Sequence, residues 1–325
     1  MTHATPVPVY LDCDTGVDDA VALAYLLASP GVDLVGIGTV SGNTSAEQAT
    51  RNTLDLLALA GRDDIPVATG AHDHLSHGYG GGAPHVHGEN GIGGVELARA
   101  TRAEHPAGAV DLLLELSHRH AGRLHVLTIG PVTNIAHALA ADPTLPHRVS
   151  HVTTMGGAAL STGNISPVAE ANIHNDPEAA AALLAADWDV TLVPLDVTLE
   201  HTLSDADREA LTAAPSAFIR AVGDILDHYF DFYRPLYGVR SCALHDPLAA
   251  ALAAGGSVTS RAPRVPVTVD TTQGPGRGQT IADLRGQRLG PVDHEGSRVR
   301  VVLETAEPLA PHLVQTLVGY GVDPR

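Results

Sequence analysis

The sequence predicts an α/β fold: an open, mostly parallel Rossmann-like sheet with helices on both faces. Three observations carry that prediction. Short apolar runs alternate with Ala- and Leu-rich helical patterns along the chain, the order that builds a parallel sheet covered on both sides. The 325 residues, 44% of them hydrophobic, are ample for a packed core. No composition break marks a linker and no segment repeats, so residues 1–325 are expected to form one domain with a few extra C-terminal strands.

Taken in order, residues 7–11 read as a buried strand and 19–27 as a helix with Ala, Val and Leu on most faces. Residues 33–40 read as a second strand and 46–59 as a second helix. The Gly- and His-rich stretch 72–94 has no periodicity and reads as a mobile surface loop. Further strands are expected at 124–129, 151–155 and 190–194, and an Ala-rich helix at 245–254. Toward the C-terminus, 265–270 and 298–303 read as additional strands, with 274–278 as a turn.

Charge narrows the chemistry. There are 37 acidic residues against 19 basic ones, and every basic residue is Arg. The absence of Lys removes Schiff-base enzymes, Walker-type phosphate loops and Ser-Lys hydrolases. A net charge of −18 argues against nucleic acid or an anionic membrane as partner, and 19 His would cancel most of it on acidification. Met1–Pro6 lacks the basic and apolar regions of an export signal, no apolar run is long enough to span a bilayer, and two Cys do not make a disulfide scaffold. A cytoplasmic enzyme with buried thiols at Cys13 and Cys242 is the expectation.

The most informative segment is Asp12-Cys13-Asp14-Thr15-Gly16-Val17-Asp18-Asp19-Ala20, where a strand ends and a helix begins. Open α/β sheets place their ligands at that edge. Strand alternation puts Asp12 and Asp14 on one side and Cys13 on the other, and Gly16 permits a turn that brings Asp18 and Asp19 back toward Asp14. Carboxylates this close repel unless a proton or cation sits among them, and oxygen donors without Cys or His point to Ca²⁺ or Mg²⁺. Helix capping by Asp18 and Asp19 is the plainer alternative.

This segment resembles the N-terminal motif of the inosine-uridine preferring nucleoside hydrolase family. Phosphohydrolases of the haloacid dehalogenase type share part of it, but they need a cation at the phosphoryl group, usually Lys. Further segments similar to the family follow in order: Val40-Ser41-Gly42-Asn43, Gly130-Pro131-Val132-Thr133-Asn134, Met155-Gly156-Gly157, Gly163-Asn164, Ala169-Glu170-Ala171-Asn172 and Leu244-His245-Asp246-Pro247. The resemblance implies Ca²⁺-dependent cleavage of ribonucleosides to free base and ribose, in nucleoside salvage or catabolism, by a homodimer or homotetramer. It implies a cation held by Asp14, Asp19, Asp246 and the Ile129 carbonyl, with Asp14 as general base. Asp18, Asn43, Asn164, Glu170 and Asn172 would read the ribose hydroxyls, so 2′-deoxynucleosides should be poor substrates. Read without the family, Asn43 and Asn164 are turn residues, and Glu170 and Asn172 are surface groups of shared strand parity.

His245 is placed to protonate the departing base, and a His there goes with pyrimidine or broad specificity in the family. Tyr229 and Tyr233, with Tyr237, recur at four-residue steps and either wall the base pocket or pack the core. The spacing of the histidines in 72–94 is too irregular for zinc and, with the Gly richness, argues for a flexible lid; the resemblance implies that His87 lies near the base. Thr133 and Asn134 read as caps of a helix starting near Ile135. Position 171 is Ala, where many relatives carry an aromatic. A catalytically silent Ca²⁺- or ribose-binding protein is the reading from another class.

Overall fold

The computed structural model describes residues 5–321; the first four residues of the N-terminal segment considered above lie outside them. Seven strands form one sheet, in the order Val299–Val301, Val190–Val193, Val149–Met155, Leu124–Thr128, Val7–Cys13, Val32–Thr39 and Val67–Thr69. Every pairing within it is parallel. Parallel neighbours align their carboxyl ends, and here Asp12 stands opposite Thr128 on one side and Gly38 on the other. The chain reverses beyond that edge, so the loops following each strand converge there.

Two hydrophobic clusters cover the two faces. On one face lie the helices Val17–Ala28, Ala217–Tyr237, His245–Ala253 and Leu309–Val318. The first buries eleven of its twelve residues, which explains its uniformly apolar sequence. It starts two residues earlier than expected, because Gly16 is its N-cap and the Asp19 carboxylate accepts from the Gly16 N–H. The opposite face is covered by Ala109–Arg119, Thr133–Ala141 and Pro177–Ala185.

The outcome at the C-terminal end differs from expectation in one respect that matters. Val299–Val301 is the seventh strand of the main sheet, parallel to Val190–Val193. By contrast, Val267–Val269 pairs antiparallel with Thr280–Ala282, and the expected turn 274–278 joins them. The loop 72–94 is only partly irregular: it contains the helical turn Pro84–His87, and His74 and His87 are buried. Edge strand Val67–Thr69 is too short to carry a periodic signal.

Candidate active site

The acidic turn closes on itself at the sheet's carboxyl edge. Asp14 is fixed by the Asn43 N–H, which donates to Oδ2 at 2.6 Å. Two glycines make room for it. A Cβ at Gly42 would fall 2.1 Å from Asp14 Oδ2, and one at Gly130 would fall 2.8 Å from Oδ1. Asp19 accepts from the backbone N–H of Asp14 and Gly16 and from Asn43 Nδ2 at 3.1 Å. Asp18 accepts from the Tyr229 hydroxyl at 3.0 Å. Asp246 enters from the first turn of the helix His245–Ala253, and oxygens of Asp18, Asp19 and Asp246 lie within 4.8 Å of one another. Asp12, the fourth carboxylate of the motif, turns away to Tyr10 and Asn134.

Burial governs the electrostatics. Desolvation, reinforced by mutual repulsion, pushes the carboxyls of Asp14 and Asp246 well above their usual range and brings Asp19 to about 7, while desolvation raises Asp18 against the pull of His245 and Tyr229. Asp14 Oδ1 and Asp18 Oδ1 are buried with no hydrogen-bond partner among the described residues. Such a cluster of hard oxygens, two of them unpaired, fits a divalent cation bound by oxygen donors. The converging trio contains Asp18, which the family resemblance assigns to ribose; Asp14 borders it through Asp19.

The ribose-reading candidates separate into buried and exposed. Glu170 is buried and caps the helix Ala171–Asn175, accepting from the N–H groups of Gly157, Asn172 and Ile173, with its carboxyl raised to about 7 by burial. Asn172, inside that helix, donates to the Ile129 carbonyl at 2.9 Å. The two therefore do not stand in strand parity on a surface; a helix start buries both. Asn164 is exposed, and its Oδ1 accepts from the Ala171 N–H. This ties the 163–164 turn to Glu170's helix.

Across from the acids stand imidazoles and phenols. The Val17 N–H donates to His87 Nδ1 at 3.1 Å, so the ring proton of neutral His87 is on Nε2. Burial lowers its pKa to about 3 and keeps it neutral. His245 is buried between two hydroxyls: Thr198 Oγ1 lies 2.7 Å from Nδ1, and the Tyr233 hydroxyl 2.7 Å from Nε2. Tyr229 and Tyr233 are both buried, with rings 4.9 Å apart, and Tyr237 is half-buried on the same helix.

Two sequence-based assignments change. Thr133 and Asn134 are not caps, because the helix begins at Thr133 with Val132 as N-cap. They cross-link instead: Thr133 donates to Asp176, while Asn134 Nδ2 donates to Asp12 and to the Thr39 carbonyl and its Oδ1 accepts from Ala71. Asn134 thus joins the ends of the first two strands beneath Asp14. Thr198 lies in none of the motifs, and the motif glycines at 42 and 130 have no role that the sequence alone assigns. Gly-Asn and Gly-Pro after a strand are turn signals, and nothing local reveals what the turn must clear.

Buried carboxylates at the carboxyl edge of a parallel sheet, facing neutral imidazoles, define a class of α/β site that can hold an oxygen-bound divalent cation. Comparison with known proteins narrows the class. Residues 9–309 match the family described as inosine-uridine preferring nucleoside hydrolase. The chain is 36% identical over 239 residues to uridine nucleosidase 1 of Arabidopsis thaliana, covering 74% of this chain and 71% of that protein. It is 37% identical over 245 residues to the pyrimidine-specific ribonucleoside hydrolase RihA of Shewanella sp. (strain MR-7), covering 75% and 76%. Among solved structures, a plant nucleoside hydrolase superposes with a TM-score of 0.88 at 30% identity, covering 98% of this chain and all of that one. A purine-preferring ribonucleoside hydrolase from Gardnerella vaginalis superposes at 0.87 with 31% identity, covering 96% and 98%. The chain belongs to the inosine-uridine preferring nucleoside hydrolase family. It is a ribonucleoside hydrolase, splitting the N-glycosidic bond to free base and ribose.

Proposed function

We propose that this hydrolase takes pyrimidine ribonucleosides, uridine foremost, and works with Ca²⁺. The observation that carries the cofactor is the trio Asp18, Asp19 and Asp246, together with the unpaired oxygens of Asp14 and Asp18. Asp14, Asp19, Asp246 and the Ile129 carbonyl would hold the ion, with Asp18 at its border. The cation, when bound, supplies the positive charge that makes a nearby water acidic enough to lose a proton near neutral pH.

Asp14 accepts that proton: the Asn43 N–H fixes its carboxylate, and a bound cation would favour the ionised form that a base requires. Asp18, Asn43, Asn164, Glu170 and Asn172 orient the ribose hydroxyls and favour the oxocarbenium-like geometry of glycosidic cleavage. His87 offers its Nε2–H to the base. His245, with Tyr233 against its Nε2, supplies the proton that the departing base needs. Proton taken and proton given balance. Pyrimidine preference rests on His245 and on the named preferences of the uridine- and pyrimidine-specific relatives.

The test is a panel of uridine, cytidine, inosine, adenosine and 2′-deoxyuridine, followed by reducing-sugar release with Ca²⁺ and after chelation. Uridine should lead and 2′-deoxyuridine should fail. A faster rate on inosine overturns the base preference, and full activity in chelator overturns the cofactor. A homodimer or homotetramer, suggested by the resemblance alone, is checked by light scattering. A reducing, cytoplasmic setting is supported by the two buried free thiols, Cys13 and Cys242. Among the described residues no helix is long and apolar enough to cross a membrane.

A further inference from the structure

His245 has both ring nitrogens occupied, so its usefulness as a proton donor depends on which nitrogen carries the proton. That choice is made from outside the pocket. Thr198 is fully buried at the end of the helical turn Leu195–Thr198, and its hydroxyl has one partner among the described residues, His245 Nδ1 at 2.7 Å. A buried hydroxyl proton with one available acceptor goes to that acceptor. Nδ1 therefore accepts, and the imidazole proton lies on Nε2, facing the Tyr233 oxygen.

On the other side of the ring, Tyr229 donates its hydroxyl proton to Asp18 Oδ2, and its ring packs 4.9 Å from that of Tyr233. Tyr233 in turn has its own oxygen free to accept from His245 Nε2–H. Thr198 then donates to Nδ1 of His245 while the Tyr233 oxygen accepts from Nε2–H, one role for each ring nitrogen. With the opposite tautomer Nδ1–H would donate to Thr198 Oγ1, and the Thr198 proton would be left without an acceptor among the described residues.

We propose that Thr198 is a positioning residue for leaving-group protonation: its hydroxyl fixes the Nε2–H tautomer of His245 and so aims the proton toward Tyr233 and the base. The same four-residue turn explains how that hydroxyl is held. Asp196 accepts from the N–H groups of Ala159, Leu160 and Ser161, pinning the turn to the loop that leads to Asn164. Residues 195–198 thus connect the ribose side of the site with its base side.

The proposal rests on the acid role of His245, and the experiment separates the two. Wild type, Thr198→Val, Thr198→Ser and His245→Ala are compared on uridine and on p-nitrophenyl β-D-riboside, whose leaving group needs no proton. Thr198→Val should lose roughly 30-fold in kcat/KM on uridine while staying within about threefold on the activated riboside. Thr198→Ser should restore uridine cleavage. If His245→Ala loses equally on both substrates, the acid role itself is wrong. If His245→Ala discriminates and Thr198→Val does not, only the Thr198 proposal falls. A ¹⁵N–¹H correlation spectrum of the unmutated protein decides the matter even if a variant misfolds. A pyridine-type Nδ1 and a protonated Nε2 at His245 support the assignment; the reverse pattern overturns it.

Discussion

The Tyr229 hydroxyl donates to Asp18 Oδ2 at 3.0 Å, joining residues 211 positions apart. Through this contact the helix Ala217–Tyr237 closes over the acidic turn. Tyr229→Phe keeps the ring packing and leaves one more oxygen of Asp18 unpaired. Removing such a buried partner costs about 1–3 kcal/mol. The expected outcome is a rise of about tenfold in KM for uridine, read by steady-state kinetics, with a smaller change in kcat.

Asp14 owes its position to absent side chains. In Gly42→Ala the added carbon would overlap Oδ2 of Asp14, which must then turn. A displacement of about 1 Å at a reacting group is enough for about a 100-fold loss of rate. We expect kcat on uridine to fall by at least that much while the far-ultraviolet circular dichroism stays unchanged. Wild-type kcat in Gly42→Ala would show that Asp14 is not the proton acceptor or that the loop yields freely.

Metal removal should be felt more strongly at alkaline pH. The carboxyls of Asp19 and Glu170 rise from ordinary values of 3.8 and 4.5 to about 7 on burial. A group raised in the folded state contributes stability below its unfolded pKa and loses it as pH climbs through the folded one. The cation-free protein is therefore penalised above about pH 7, where a bound cation offsets the repulsion. The drop in melting temperature caused by chelation should be larger at about pH 8 than at about pH 5. Equal drops would exclude the carboxylate cluster as the binding site.

His125 gives the opposite pH signature, far from the chemistry. It is buried in the strand Leu124–Thr128, with Nε2 2.9 Å from Thr153 Oγ1, and burial lowers its pKa to about 3. A depressed imidazole is neutral in the native state, so its contribution is complete above about pH 6.5 and lost as pH falls toward 3. In that window the unfolded chain binds one proton that the native chain refuses, at about 1.4 kcal/mol per pH unit. In His125→Gln, the slope of unfolding free energy against pH between about 4 and 6 should fall by about one proton, measured by urea titration. An unchanged slope would place the titration elsewhere among the histidines.

Much of the architecture was legible in local sequence. Strands 7–11 and 33–40, the helices 46–59 and 245–254, and the turn after Asp14 follow from periodicities of two and 3.6 and from turn residues that act within a few positions. The acidic motif showed itself the same way, since Asp14, Asp18 and Asp19 are near neighbours in the chain. Other features were not visible because their cause is distant. Val299–Val301 became the seventh strand of the main sheet only because the Val190–Val193 edge was open to pair with it. Glu170 and Asn172 left strand parity for a helix start because the N–H groups of Gly157 and Ile173 needed that carboxylate.

The sequence by itself determined the alternating α/β order and the chemical character of the pocket: hard carboxylates, imidazoles and no Lys. Local propensity and residue type suffice for both. The tertiary structure alone decided that Asp246 meets Asp18 and Asp19, that Tyr229 reaches Asp18, and that Thr198 meets Nδ1 of His245. Those contacts arise when apolar faces pack and bring distant polar groups out of water together. Once buried, each group must find a partner, and the one it finds depends on the packing rather than on its neighbours in the chain.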